Sequence, residues 1–298
     1  MKKITFGLVI INFLIFIGLL IFPQTVVSSK ADHISKTRQP YMNIIASNKP
    51  AYLMIKGLVK DRHNVEFLLK SQEEIKNFKF TEDTVNNISK MNLFVYTSVV
   101  FEPWTESLIN KLDKSKTGII DLSRGTKSMV DGSGNQIPYC LMDFENYKIA
   151  LFNMKNELEI DDYNSKSFYE DNYNAVIKKF EDNNLKNLQV IKSIESVDFY
   201  FAEYSVEYYA QYLNSKSVFL DQSAFDKIIK SKKDAKPFVV FYSDEKAIEL
   251  SKAALAAKGA VFIKTTVYDE NKEYSDLLGE NITNAYNSLK SAGIIATQ

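Results

Sequence analysis

Leu93–Trp104 reads LFVYTSVVFEPW. Its first part, Leu93–Val100, is a near-continuous apolar run, the pattern of a strand covered on both faces of a parallel sheet. Pro103 then falls in the first turn of the following helix, where a missing N–H costs nothing. On the N-terminal side, Tyr41–Ser47 and Asn64–Leu69 read as strands. Lys49-Pro50 opens a helix that runs through Val59, and Thr81, Glu82 and Asp83 offer capping chemistry for another that reaches Met91. On the C-terminal side, Gly118–Leu122 is a further strand, and Asp131–Asn135, with Gly132 and Gly134, is a turn.

From Asp143 to Glu181 the spacing is helical, with Phe168, Tyr169, Tyr173, Val176, Ile177 and Phe180 on one face. The alternation then resumes. Val197–Ala202, Val218–Leu220, Phe238–Tyr242 and Ala260–Val267 read as strands. Tyr204–Leu213, Ala224–Ser231, Glu245–Ala257 and Tyr274–Ser291 read as helices. Gly259 sits where a helix ends in a left-handed residue. The fold class is α/β, with two doubly wound parallel-sheet lobes joined by a long linking helix and a ligand cleft between the lobes. The expected division is 1–24 signal or membrane anchor, 25–40 stalk, 41–164 N-terminal lobe, 165–186 linking helix and 187–298 C-terminal lobe.

The 298 residues carry 37 Lys plus Arg against 37 Asp plus Glu, a net charge of zero, which argues against a nucleic-acid partner. An apolar fraction of 45% is enough for a packed core. The one cysteine, Cys140, excludes an internal disulfide and reads as a small buried residue, and two histidines exclude a metal site built mainly on imidazole. Lys2 and Lys3 precede the uncharged run Ile4–Phe22, whose length at about 1.5 Å per residue matches a bilayer core of about 30 Å. The expected location is extracytoplasmic, either attached to the cell membrane by this helix or secreted after cleavage of a signal. No phosphate-binding loop is present. His63, in Asp61–Asn64, reads as a solvated loop histidine, and Asp161-Asp162 as a solvated face, so the chain is not expected to be an enzyme.

LFVYTSVVFEPWTESLINKL (Leu93–Leu112), IPYCLMDFENYKIAL (Ile137–Leu151), FYEDNYNAVIKKFE (Phe168–Glu181) and YSDLLGENITNAYNSLKSA (Tyr274–Ala292) together resemble the zinc- and manganese-type solute-binding proteins of ABC transporters. Phe101-Glu102-Pro103-Trp104 resembles the family's strand ending in Glu-Pro-Trp, and Tyr169 and Asn172 match its linking helix. The resemblance implies a metal ion between the lobes and an ABC permease in the membrane as partner. It also implies four ligand places, and these fall on Lys76, Tyr139, Glu203 and Thr265 or Thr266, none of them histidine. Cys140, Asp143 and Tyr242 are possible supporting residues.

An ammonium repels a metal cation, and a phenol with a free pKa near 10 is a poor ligand. The expectation is therefore a degenerate cleft with no resident cofactor, and with Zn or Mn bound only through an altered site. Lys76 pairing with Glu203, with its ammonium standing in for the metal, is one way to fill such a cleft. Tyr139, Phe144, Tyr200, Tyr204, Tyr208, Tyr209 and Tyr242 point instead to a small-molecule or protein ligand, or to rings that pack the lobes together. The alternative to transport is a membrane-tethered binding or adhesion module on the same fold with no metal.

Overall fold

The computed structural model describes residues 41–195, 197–231 and 236–296. The expected signal or anchor (1–24) and the expected stalk (25–40) lie outside the described residues. Among those described, no helix is long and apolar enough to cross a membrane.

Two four-stranded parallel sheets form, each with its own wrapping helices. The first contains β1 (Asn43–Asn48), β2 (Asn64–Leu69), β3 (Leu93–Tyr96) and β4 (Gly118–Asp121) in the order β2-β1-β3-β4. The second contains β5 (Phe199–Phe201), β6 (Val218–Phe219), β7 (Phe238–Tyr242) and β8 (Ala260–Lys264) in the order β6-β5-β7-β8. The order is the same in both, so each sheet reverses direction of winding between its first and third strands. Such a switch point leaves a crevice beyond the carboxyl ends of those strands. In the first lobe the crevice opens after Asn48 and Tyr96, and in the second after Phe201 and Tyr242.

The helices follow local chemistry. Asn48 caps α1 (Lys49–Val59) by accepting from the Ala51 amide at 3.0 Å. Ser71 and Glu74 cap each other's amides in a capping box at the start of α2 (Gln72–Asn77), and Thr81 and Thr84 do the same for α3 (Glu82–Ile88). Pro103 precedes α4 (Trp104–Ile109). Next come α5 (Phe144–Asp161), the long α6 (Lys166–Lys192), α7 (Glu207–Leu213), α8 (Gln222–Lys230), the short α9 (Lys252–Ala256) and α10 (Tyr274–Ser291). One of three apolar clusters among the described residues spans both lobes and α6: Leu93, Tyr147, Tyr169, Phe180, Phe241 and Leu278 belong to it. Helix α10 lies close against α6 at Gly279, where a Cβ would stand 2.9 Å from the Asn184 amide nitrogen.

Several elements are shorter than their sequence pattern. β3 ends at Tyr96 although the apolar run continues to Val100. The next amide, Thr97 N–H, donates to the Glu102 carboxylate at 2.7 Å, so the chain turns back instead of extending the ladder. The helix expected over Glu245–Ala257 is broken, because Ile248 turns into the core while Leu250 is fully exposed.

The helical stretch from Asp143 to Glu181 divides at Asp162–Ser165, just before the long helix begins at Lys166, and the contacts at this break correct two expectations. Neither Asp161 nor Asp162 is a solvated face: both are buried. His63 is not a solvated loop residue either; it is 3% exposed. Asp162 Oδ2 accepts from Arg62 Nε at 2.6 Å and from the Tyr169 hydroxyl at 2.9 Å. The Tyr169 oxygen in turn meets His63 Nε2, while His63 Nδ1 accepts the Met42 amide at 3.2 Å. Nδ1 is an acceptor, so the proton sits on Nε2 and the ring is neutral. The chain of bonds ties the entry to β1, the turn before β2 and the start of α6 into one corner.

Burial holds the His63 pKa below its ordinary value against the opposing pull of Asp162. A depressed histidine stabilises the fold above its unfolded pKa of about 6.5, and that contribution is lost as pH falls. Urea midpoints measured from pH 7 to pH 5 should therefore decline more for the wild-type protein than for His63→Gln; equal declines would remove His63 from this role. Tyr169→Phe removes the middle link and should cost about 1–3 kcal/mol at pH 7.

Candidate functional site: the cleft between the lobes

In both lobes a glutamate fills the switch-point crevice. In the first it is Glu102, fully buried, whose carboxylate accepts from Asn48 Nδ2 at 2.9 Å and from the Thr97 amide at 2.7 Å. Asn48 Nδ2 also donates to Thr97 Oγ1 at 2.8 Å, and Thr97 Oγ1 lies 3.2 Å from the Tyr274 hydroxyl at the start of α10. In the second lobe it is Glu203, half-buried, whose Oε1 accepts the Ser243 and Asp244 amides at 2.5 and 2.8 Å. Both Glu102 oxygens are thus taken by donors of their own lobe, whereas Glu203 is held through Oε1 alone.

Aromatic rings occupy the space between. The Phe101 ring stands 5.7 Å from Tyr139 and 5.9 Å from Tyr268. Tyr139 bonds Gln72 at the start of α2. Tyr268, from the loop after β8, donates to the Lys70 carbonyl at 2.7 Å, and Lys70 pairs with Glu270 at 3.1 Å. These contacts join the two lobes directly. What remains among Thr97, Phe101, Tyr139, Tyr268 and Tyr274 is a cavity of about 10 Å³, at the limit of what one water molecule needs.

Of the residues at the four expected ligand places, Tyr139 and Glu203 lie near enough to influence each other, while Lys76 does not join them. Lys76 lies exposed in the last turn of α2 and forms no ion pair with Glu203; the proposed ammonium in the cleft is not there. The cause is local: the Ser71–Glu74 capping box winds this stretch into a helix that turns Lys76 outward, while Glu203 is already held by two amides. Tyr139 does reach the cleft, and burial, with a smaller push from Glu203, raises its hydroxyl pKa. Thr265 is buried and continues the β8 ladder by donating its amide to Tyr242 O at 2.7 Å. Thr266 is exposed, its backbone clamped by Asn281 at 3.0 and 2.8 Å.

Of the supporting residues, Cys140 is buried in the core and its thiol is pushed up to about 12 by desolvation. Asp143 caps α5 by accepting the Glu145 amide at 2.8 Å. Tyr242 donates to Glu245 at 2.9 Å. Among the described residues no group of three His, Cys, Asp or Glu is arranged to hold a metal ion. Phe144, Tyr208 and Tyr209 are core residues, and the Tyr208 hydroxyl accepts the Met129 amide at 2.8 Å. The sequence reading missed Asn48, Gln72, Thr97, Tyr268 and Tyr274. For Gln72 the signal was available: Ser71-x-x-Glu74 is a capping box.

A family model described as zinc-uptake complex component A, periplasmic, matches residues 44–287. The chain belongs to this family. A curated relative, the high-affinity zinc uptake system protein ZnuA of Bacillus subtilis (strain 168), is 22% identical over 192 residues, 59% of this chain, and the chain spans 60% of that relative's length. Among solved structures, the metal-dependent lipoprotein YcdH from Bacillus subtilis superposes with a TM-score of 0.66 at 20% identity, covering 83% of this chain and 99% of that one. A mutant of the laminin-binding adhesin Lmb from Streptococcus agalactiae gives 0.64 at 22%, covering 83% and 99%. Zn(II)-bound AdcA from Streptococcus pneumoniae gives 0.64 at 18%, covering 83% of this chain and 57% of that one. These structures share the zinc-uptake family's two-lobed fold with its long helix.

In this chain Glu102 is a fully buried titratable group at the end of the first lobe's sheet. Burial without a cationic partner pushes its carboxyl up to about 7. A carboxyl raised on folding stabilises the protein below its unfolded pKa of about 4.5 and loses that contribution as pH rises through 7. The full effect is on the order of 3 kcal/mol. Glu102→Gln should flatten stability between pH 5 and 8. It should also cost about 1–3 kcal/mol below pH 5, where its amide sets an N–H against Thr97 or Asn48. A variant with the same pH slope as wild type would show that another group titrates.

Proposed function

We propose that the chain is an extracytoplasmic solute-binding protein of the zinc- and manganese-type ABC transporter class, working with a membrane permease, whose interlobe site has lost the ordinary donor set. The family match across residues 44–287 carries the receptor reading. The fate of the donors supports the altered site. A tetrahedral Zn²⁺ site needs about four nitrogen, oxygen or sulfur donors at 2.0–2.3 Å. Here Lys76 is turned to solvent, Glu203 is engaged by two amides, Asp143 caps a helix, and Tyr139 is held by Gln72 with its proton on. Tyr268 and Phe101 fill the volume a cargo ion and its ligands would take.

Such a cleft favours the closed state before any solute arrives. Closure is maintained by the Tyr268–Lys70 bond, the Lys70–Glu270 pair and the ring contacts of Phe101. A cargo that enters must displace these rings, so its affinity is reduced by the fraction of molecules that are open. Nothing in the fold calls for catalysis, and no observation favours an adhesion module over a receptor.

Calorimetric titration of the purified protein with Zn²⁺ and with Mn²⁺ tests this reading. The expected result is no binding tighter than micromolar for either ion in the wild type. Tyr268→Ala should open the cleft, seen as faster amide exchange at Lys70–Gln72, without creating a tight site. Sub-micromolar binding by the wild type would leave the receptor reading intact and refute the altered site.

A further inference from the structure

A second, larger cavity of about 620 Å³ lies away from the interlobe rings, within the range of roughly 300–1,000 Å³ typical of small-molecule sites. Its wall is shared by Asp143 at the start of α5, Lys192 at the end of α6, Gln211 and Tyr212 of α7, and Asp198 and Tyr200 at the entry to the second sheet. Three of these groups are short of partners. Asp143 caps its helix but has no cation within 4 Å among the described residues, and burial raises its pKa. Glu145 beside it is already paired with Lys148 at 2.8 Å.

Lys192 likewise has no carboxylate within 4 Å among the described residues. Its ammonium rests over the Tyr212 ring, 4.1 Å from the centroid, and burial lowers its pKa. Tyr212 is 7% exposed and lines the cavity, and its hydroxyl makes no hydrogen bond among the described residues. Asp143 acts on Lys192 through space without forming an ion pair within 4 Å, and a partly desolvated anion and cation held apart on one cavity wall leave room for a molecule carrying the opposite pair.

We propose that this cavity binds a small zwitterion of the α-amino acid class, its ammonium on Asp143, its carboxylate on Lys192 and the Tyr212 hydroxyl. Gln211 and the rings of Tyr200 and Tyr212 face the remainder of the molecule. The proposal does not depend on what the interlobe cleft carries, since none of these residues joins the lobes' ring cluster.

The test is calorimetric titration of the full chain, in detergent micelles, with each of the twenty α-amino acids, and with propionate and ethylammonium as the two separated halves. At least one amino acid should bind, neither half should match it, and Asp143→Asn and Lys192→Met should each weaken binding tenfold or more. Asn remains a good helix cap and Met keeps the packing on Tyr212, so both variants should fold, which their thermal transitions check. Tyr212→Phe should weaken binding roughly fivefold. The proposal is overturned if no amino acid binds, if binding survives both charge variants unchanged, or if either half binds as tightly as the whole.

Discussion

A carboxylate with no counter-ion, removed entirely from water, organises the first lobe. Glu102 is fully buried, and the donors that hold it, Asn48 Nδ2 and the Thr97 amide, lie at the ends of β1 and β3. Leaving such a group unbonded costs several kcal/mol, so the backbone around it has little freedom. The turn from Thr97 to Phe101 exists because the carboxylate takes the amide that would have continued the strand. That turn places the Phe101 ring against Tyr139 and Tyr268, and the same Thr97 reaches Tyr274 across the cleft. A buried carboxyl group at the switch point thus shapes the turn that lines the cleft.

The second lobe repeats the device with Glu203, which takes two amides after β7. The two amides anchor Glu203 by Oε1 and fix where the rest of its carboxylate points. In this structure Glu102 is bonded through both oxygens, Glu203 through one, and Phe101, Tyr139 and Tyr268 pack between the lobes. Polar groups still short of partners lie elsewhere, around Asp143, Lys192 and Tyr212.

Much of the architecture was legible from the chain. Lys49–Val59, Asn64–Leu69, Phe238–Tyr242 and Tyr274–Ser291 match their observed bounds because local pattern and tertiary burial agree there. Where they conflict, the sequence misleads. Val99 and Val100 look like strand but belong to a turn set by Glu102. His63 and Asp162 look like solvent-facing loop residues, yet they meet through contacts with Arg62 and Tyr169, the latter 106 residues beyond His63. At the expected ligand places the orientation of the side chains was not legible. The capping box at Ser71 and the amides at Ser243 and Asp244 decide where Lys76 and Glu203 point, and neither effect shows in residue identity at those positions.

The central claim is that rings close the cleft, with Glu102 fully bonded and Glu203 anchored by Oε1, leaving no cage for a transition ion. Anomalous diffraction at the zinc edge from crystals grown in excess Zn²⁺ tests it most directly. The account predicts no anomalous peak between the lobes, with Phe101, Tyr139 and Tyr268 in contact. A fully occupied peak held by Tyr139 and Glu203, with the Ser243 and Asp244 amides released, would contradict it.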